Sequence, residues 1–223
     1  MFAGHIGAAL VIGRVERRVN VGVFVGAALL LDLVLWLLVL LGLESVVIPS
    51  SFTSTHQPEF VFPYSHGLLA AVLWSAVAGA PAFLACSDRP ALKWRAAVLI
   101  AAAVVSHWLL DALVHRPEMP LTDSTSRMVG LALWNSLFAA LGVEALVVAV
   151  GLYLFVPGSG LSRSRSVTLT VLTLVILFFT VAGMTVAPPP PSTPAMAGTS
   201  LVTLGVVCAM FCWLGRHPRA GGA

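Results

Sequence analysis

The stretch Ala96–His115 reads AAVLIAAAVVSHWLLDALVH, and it decides the class of fold. It is apolar apart from Ser106, His107, Asp111 and His115. A helix of that length rises about 30 Å, the thickness of the hydrocarbon core of a bilayer. Within it, His107, Asp111 and His115 stand at i, i+4 and i+8. Each four-residue step turns a helix by about 400°, so the three side chains share one stripe. Ionisable groups at membrane depth are costly unless paired, metal-bound or hydrated. Three on one stripe point to a use.

Outward from this stretch the chain keeps the same character. Of its 223 residues, 59% are hydrophobic and 9% charged, where a soluble domain carries about 25% charged residues. The mean hydropathy is +0.99. Both values exclude a soluble fold with a single anchor and indicate a polytopic membrane protein. Further apolar runs occupy residues 19–43, 64–86, 128–156, 166–186 and 199–215, while residues 1–13 are apolar but too short to span. The expected fold is all-α: a membrane bundle of about six helices plus a short N-terminal half-helix. Residues 1–156 form the core that carries the polar residues, 157–165 a linker, and 166–223 a C-terminal transmembrane hairpin and tail. Residues 166–215 contain no Asp, Glu, Lys, Arg or His. They read as a scaffold, a lipid-facing wall or an oligomer surface.

The basic residues set the orientation. Arg14, Arg17 and Arg18, then Arg89, Lys93 and Arg95, then Arg163 and Arg165, then Arg216 and Arg219 fall on alternate connections. The positive-inside rule assigns these to the cytoplasm and turns the loops at 44–63, 116–127 and 187–198 outward. With the basic residues confined to segment ends and a net charge of only +3, no nucleic-acid partner is expected. The first apolar stretch precedes its Arg cluster, so it does not read as a signal peptide. Cys86, Cys208 and Cys212 lack CxxC spacing and read as small packing residues.

Depth follows from about 1.5 Å of rise per helical residue. Counted from the nearest basic boundary, Asp32 lies roughly 21 Å up, His107 roughly 18 Å and Asp111 roughly 24 Å. His66 falls just inside the outer end of its span, His115 near the outer boundary, and Asn135 level with Asp111. A half-helix rising from Arg14 carries His5 into the same zone. Glu144 comes out somewhat deeper. These residues are expected to border one outward-opening cavity.

Neutral imidazole and carboxylate together suit Zn²⁺, Mn²⁺ or Fe²⁺. The expected ligands are His5, Asp32, His66, His107, Asp111 and His115. His107 and Asp111 are the pair expected to carry catalysis, with Asp111 able to bridge ions. A divalent ion activates water and polarises a phosphoryl oxygen, which suits hydrolysis of a phosphoester. Arg116 and Arg127 beside the mouth, with Asn135, are the candidate substrate-binding groups, because guanidinium pairs well with phosphate. Two other readings fit the same residues: a proton or divalent-metal pathway, and a haem held by two histidines.

The runs His5-Ile6-Gly7-Ala8-Ala9-Leu10, Leu31-Asp32, Tyr64-Ser65-His66-Gly67-Leu68, Ser106-His107-Trp108-Leu109-Leu110-Asp111 and His115-Arg116-Pro117-Glu118-Met119-Pro120 resemble a family of bacterial inner-membrane metal-dependent hydrolases. The resemblance covers about residues 1–150. That family's ligand order is in turn similar to the all-helical zinc-dependent phospholipase C and P1-nuclease group. The resemblance implies a zinc site at Asp32, His66, His107, Asp111 and His115 with His5 as the early histidine. It also implies a bacterial inner-membrane location and a lipid or lipid-linked phosphoester as substrate. The step from Asp111 to His115 is shorter than in the soluble enzymes. Where those carry a second His-x-x-x-Asp/Glu, this chain offers Asn135 and Glu144.

Overall fold

The computed structural model describes residues 1–85 and 90–216. Cys86, Asp88, Arg89, His217 and Arg219 lie outside the described residues. The structure is 70% helical, with no closed sheet among the described residues. In order, the elements are α1 (Ala3–Val15), α2 (Val21–Ala28), α3 (Leu30–Leu40), β1 (Ser45–Val47), α4 (Phe52–Thr55), β2 (Glu59–Val61), α5 (Leu68–Ala85), α6 (Pro90–Val114), β3 (Met119–Pro120), β4 (Met128–Val129), α7 (Leu137–Phe155), α8 (Arg163–Thr185) and α9 (Thr193–Leu214). The helices α6, α7, α8 and α9 are each long and apolar enough to cross a membrane, and α2 with α3 is a fifth if the bent pair counts as one span. The helices α1 and α5 are apolar but shorter.

Two of the expected spans are interrupted, each for a reason that lies elsewhere in the fold. The run 19–43 is a broken pair: α2 and α3 meet at Leu29 with a 47° bend. Beside the break, the Ala28 carbonyl accepts a hydrogen bond from His107 Nδ1 at 2.6 Å. A side chain inserted at the i→i−4 ladder is a recognised cause of such kinks. The run 128–156 becomes helical only from Leu137. Before it, Gly130 and Ala132 take positive φ, at 152° and 57°. The Leu131 and Ala132 N–H groups turn back to donate to Ala112 O and His115 O, both at 2.8 Å. This loop therefore satisfies carbonyls that the end of α6 leaves unpaired.

At one end of the bundle lie two small antiparallel hairpins, β1–β2 with Val46 opposite Phe60 and β3–β4 with Met119 opposite Val129. The basic connections gather at the opposite end. There Glu16 accepts from Arg18 Nε and Nη2 at 2.8 and 2.7 Å, and Arg95 Nη2 donates to Val15 O at 2.7 Å.

The short helix α1 is central rather than peripheral; Ala3, Ile6, Ala9 and Leu10 have no exposed surface. It sinks into α7 because both carry glycine at the crossing. A Cβ at Gly7 would stand 2.6 Å from Val147 O, and a Cβ at Gly151 would strike the Gly7 backbone. Small residues at a crossing let membrane helices approach closely. The α8–α9 hairpin joins the same hydrophobic core through Leu169, Ile176, Leu204 and Phe211, with α8 against α7 and α1 and α9 against α2 and α3. Its outer surface is apolar, as at Phe178, and less than a quarter of either helix's spanning window is buried. Such a surface suits lipid rather than water.

Candidate metal centre

Six ionisable side chains from five segments converge at the hairpin end of the core. His5 comes from the first turn of α1 and Asp32 from the first turn of α3. His66 lies two residues before the start of α5. His107 and Asp111 project from α6, and His115 follows its last residue. His5, His66, His107, Asp111 and His115 are buried, while the Asp32 side chain is 22% exposed.

Asp111 is the hub. Its Oδ2 lies 3.0 Å from His107 Nε2, 3.5 Å from His66 Nε2 and 3.8 Å from His115 Nε2. Its Oδ1 lies 3.2 Å from His5 Nε2 and accepts from the Met1 ammonium at 2.7 Å. Asp32 Oδ1 stands 3.6 Å from His66 Nε2 and 3.8 Å from His107 Nε2. The His5 and His107 rings stack with centroids 3.7 Å apart and planes 8° from parallel. Both ring nitrogens of His5 are buried without hydrogen-bond geometry to any described residue, despite the closeness of Asp111.

The outer nitrogens of the rings are tied back. A carbonyl only accepts, so the Ala28 contact requires the proton of His107 to sit on Nδ1 and leaves the Nε2 lone pair facing the cluster. His115 Nδ1 donates to Glu118 Oε1 at 2.7 Å, which turns its Nε2 toward Asp111. His66 Nδ1 meets Ser65 Oγ at 2.8 Å. The turn before α5 is itself braced. Glu44 Oε1 accepts from the Tyr64 and Ser65 N–H groups at 2.8 and 2.9 Å, and Trp108 Nε1 donates to His66 O at 2.9 Å. Burial pushes the Glu44 carboxyl above its usual range, and the Ser65 and Tyr64 donors oppose that rise. Ring nitrogens anchored through their far side are the usual outer shell of a metal-binding histidine.

His66 Nε2 and His107 Nε2 are 3.1 Å apart, and Asp111 Oδ2 completes a triangle with sides of 3.0 and 3.5 Å. Ligands bound tetrahedrally at 2.0–2.2 Å stand roughly 3.3–3.6 Å from one another. His5, Asp32 and His107 form a second such group, and in each group the ligand atoms lie within 4.8 Å of one another. These buried His/Asp groups are able to hold a metal ion, and the shared His107 makes the two groups neighbours.

The structure thus brings together His5, Asp32, His66, His107, Asp111 and His115. It does not bring Asn135, Arg116 or Arg127 to them. All three are exposed, and none lines the adjoining cavity. Asn135 ends a 3-10 turn instead of lying within a helix, so the depth count that set it level with Asp111 does not apply. Glu144 lines the cavity, where its two oxygens accept from Phe2 N at 3.0 Å and Gly4 N at 2.6 Å and so cap α1. Sequence reasoning missed Glu118 and Glu44 as supports. The His115-x-x-Glu118 spacing was the available signal for the first; nothing marked the second.

A cavity of about 720 Å³ opens from the cluster. Asp32, His66, Asp111, His115 and Glu144 line it together with further residues of α3, α8 and α9. The charge-free hairpin is therefore a wall of the cavity as well as a scaffold. No family model, no curated protein and no solved structure matches this chain.

Proposed function

We propose that this protein is a membrane-embedded metal-dependent hydrolase of a phosphoester carried by a lipid or lipid-linked substrate. The reading rests on one observation above all. Imidazole nitrogens held from behind by Ala28 O, Glu118 and Ser65 converge on the two carboxylates Asp111 and Asp32 in a buried pocket. Lone pairs and negative charge gathered there favour a cation. His66, His107 and Asp111 would hold one divalent ion, with zinc as the best match to the donor set. Asp32 and His5 would extend the site toward a second ion, and His115 would border it. The ion's contribution is to acidify water and to polarise a phosphoryl oxygen. Asp32, the most exposed of the ligands, faces the cavity from which water and substrate arrive. The resemblance noted in the sequence supports the same activity.

The basic face is assigned to the cytoplasm of a bacterium and the cavity to the outer leaflet of its inner membrane. A transport pathway is disfavoured by what lies between the cluster and that basic face. Ala96, Ile100, Ala103 and Val104 are buried and apolar there, so the polar residues reach a dead end.

The test uses detergent-purified protein prepared without chelators. Elemental analysis is expected to find stoichiometric Zn, Mn or Fe that is absent from His107→Ala. The loaded protein is expected to release phosphate from phosphatidic acid or from 4-nitrophenyl phosphate. Failure of wild type to bind added Zn²⁺ would overturn the reading.

A further inference from the structure

The cavity has two chemically different ends, and they open differently. At the cluster end the lining is ionisable. Between α8 and α9 it is apolar or hydroxyl-bearing: Phe179, Gly183, Met196, Thr199 and Thr203 line it and, Met196 aside, are exposed. Deeper in, Trp36, Thr180 and Leu204 line the same cavity and are buried, at 7%, 8% and 3% exposure. The cavity thus opens sideways, through the gap between two helices whose surroundings are lipid by every compositional measure.

Gly183 lines that gap. A Cβ built there meets no atom within 4 Å. The position tolerates a side chain sterically, and what a side chain would occupy is the opening. The hydroxyl of Thr180 is spent on Ile176 O at 2.9 Å, and that of Thr199 on Ala195 O at 2.8 Å. The wall they form is effectively apolar.

The dimensions select one occupant. From Thr180 to Ala187 along α8, and from Met196 to Leu204 along α9, the wall runs about 10–12 Å. That is less than the half-thickness of a hydrocarbon core about 30 Å across. Both segments adjoin the α8–α9 turn, so the wall lies within one leaflet. A volume of about 720 Å³ falls in the range of pockets that bury a single ligand.

We propose that the gap between α8 and α9 is a lateral portal. Through it one hydrocarbon chain of a membrane lipid enters from the bilayer and lies against Trp36, Thr180 and Leu204, which sets the lipid's phosphate headgroup at the His/Asp cluster. This deepens the hydrolase reading and rests on it for the headgroup, while the chain-binding wall stands on its own geometry. Gly183 is then a specificity-determining residue, because its missing side chain is the opening. Substrates that lack a hydrocarbon chain would bypass the portal.

The test is photolabelling in phosphatidylcholine nanodiscs doped with phosphatidic acid that carries a diazirine in one acyl chain. Labelled sites are mapped by mass spectrometry for wild type, Gly183→Phe and His107→Ala. Bulk lipid reaches exposed Phe178 and Val202 in every variant and serves as the internal reference. The proposal expects labelling of buried Trp36, Thr180 or Leu204 in wild type, falling at least tenfold in Gly183→Phe at unchanged reference labelling. His107→Ala retains the interior labelling, since its chain wall is intact. Labelling confined to Phe178, Val202 and other exposed positions in wild type overturns the portal, whether or not the protein binds zinc. Interior labelling by a wild-type protein that binds no metal leaves the portal standing and removes the hydrolase reading. Should Gly183→Phe fail to fold, the wild-type map of buried against exposed sites decides the matter.

Discussion

Asp111→Asn separates a metal centre from a structural ion-pair network by how its effect divides between the metal-free and the zinc-loaded protein. The substitution keeps shape and removes one negative charge from the point on which His5, His66, His107 and His115 converge, at 3.2, 3.5, 3.0 and 3.8 Å. The Asn oxygen still accepts from the Met1 ammonium, which lies 2.7 Å from Asp111 Oδ1. If the carboxylate is there chiefly for a cation, the Met1 ammonium and the imidazoles offset its desolvation only in part in the metal-free protein, and neutralising it costs less apo stability than breaking a complete network. If it is there to bind the histidines and the ammonium, breaking the network costs about 3–5 kcal/mol. The metal-dependent half has its own magnitude. An ion at a hundredfold excess over its Kd stabilises the folded state by about 2.7 kcal/mol. For a chain of this size that is a rise in Tm of roughly 5–10 °C.

The assay is thermal unfolding in detergent, wild type beside Asp111→Asn, after chelation and then with Zn²⁺. The expected result is a rise of that order in wild type, none in the variant, and a loss of apo stability on substitution smaller than that rise. A variant that melts far below chelated wild type, together with a wild type indifferent to Zn²⁺, would refute the reasoning and make Asp111 a structural hub.

Two further outcomes follow from the surroundings of the cluster. Glu118→Gln leaves every candidate ligand in place but weakens the hold on His115 Nδ1, now 2.7 Å from Glu118 Oε1; zinc affinity measured by competition with a chelating dye should fall about 10–100-fold. Gly7→Val places a Cβ 2.6 Å from Val147 O and pushes α1 off α7; such overpacking costs about 1–3 kcal/mol, read as a lower Tm, and bound zinc should fall with it because His5 rides on α1.

The polar stripe was legible because it obeys helical spacing in a setting where each member is expensive. His107 and Asp111 lie in one long unbroken helix and His115 directly follows it, so counting residues was enough. Asp32 was legible for a related reason: a lone carboxylate among Leu and Val must find partners, and it stands 3.6 Å from His66 and 3.8 Å from His107. The helix boundaries were less legible. The break at Leu29 and the loop 128–136 carry no proline, and what stops the helices is tertiary. One is marked by an imidazole donating to Ala28 O, the other by amides drawn to Ala112 O and His115 O. Hydropathy registers neither, because these residues are as apolar as their neighbours. Asn135 was placed by a depth count that assumed a helix through this loop, where the chain forms a 3-10 turn instead; Arg116 and Arg127 were read as loop residues beside the mouth, and they stand exposed, off the cavity lining.

The interruptions that hydropathy could not see are also what make the cluster possible. A membrane offers an ionisable side chain few partners, since regular helices consume their own backbone groups. Helix ends release them. His5 stands in the first turn of α1 and Asp32 in the first turn of α3, while His66 precedes α5 and His115 follows α6. The two groups from helix interiors reach the free ends of other helices: His107 donates to Ala28 O beside the α2–α3 break, and Glu144 accepts the first amides of α1. A bundle of uninterrupted spans could carry the same stripe on α6 but would lack these backbone partners. The short helices and the kink are therefore the structural condition for holding two carboxylates and four imidazoles together at this depth. The long helices α8 and α9, which bear no ionisable residue within 166–215, pack against α1, α2, α3 and α7 and keep those short elements in place.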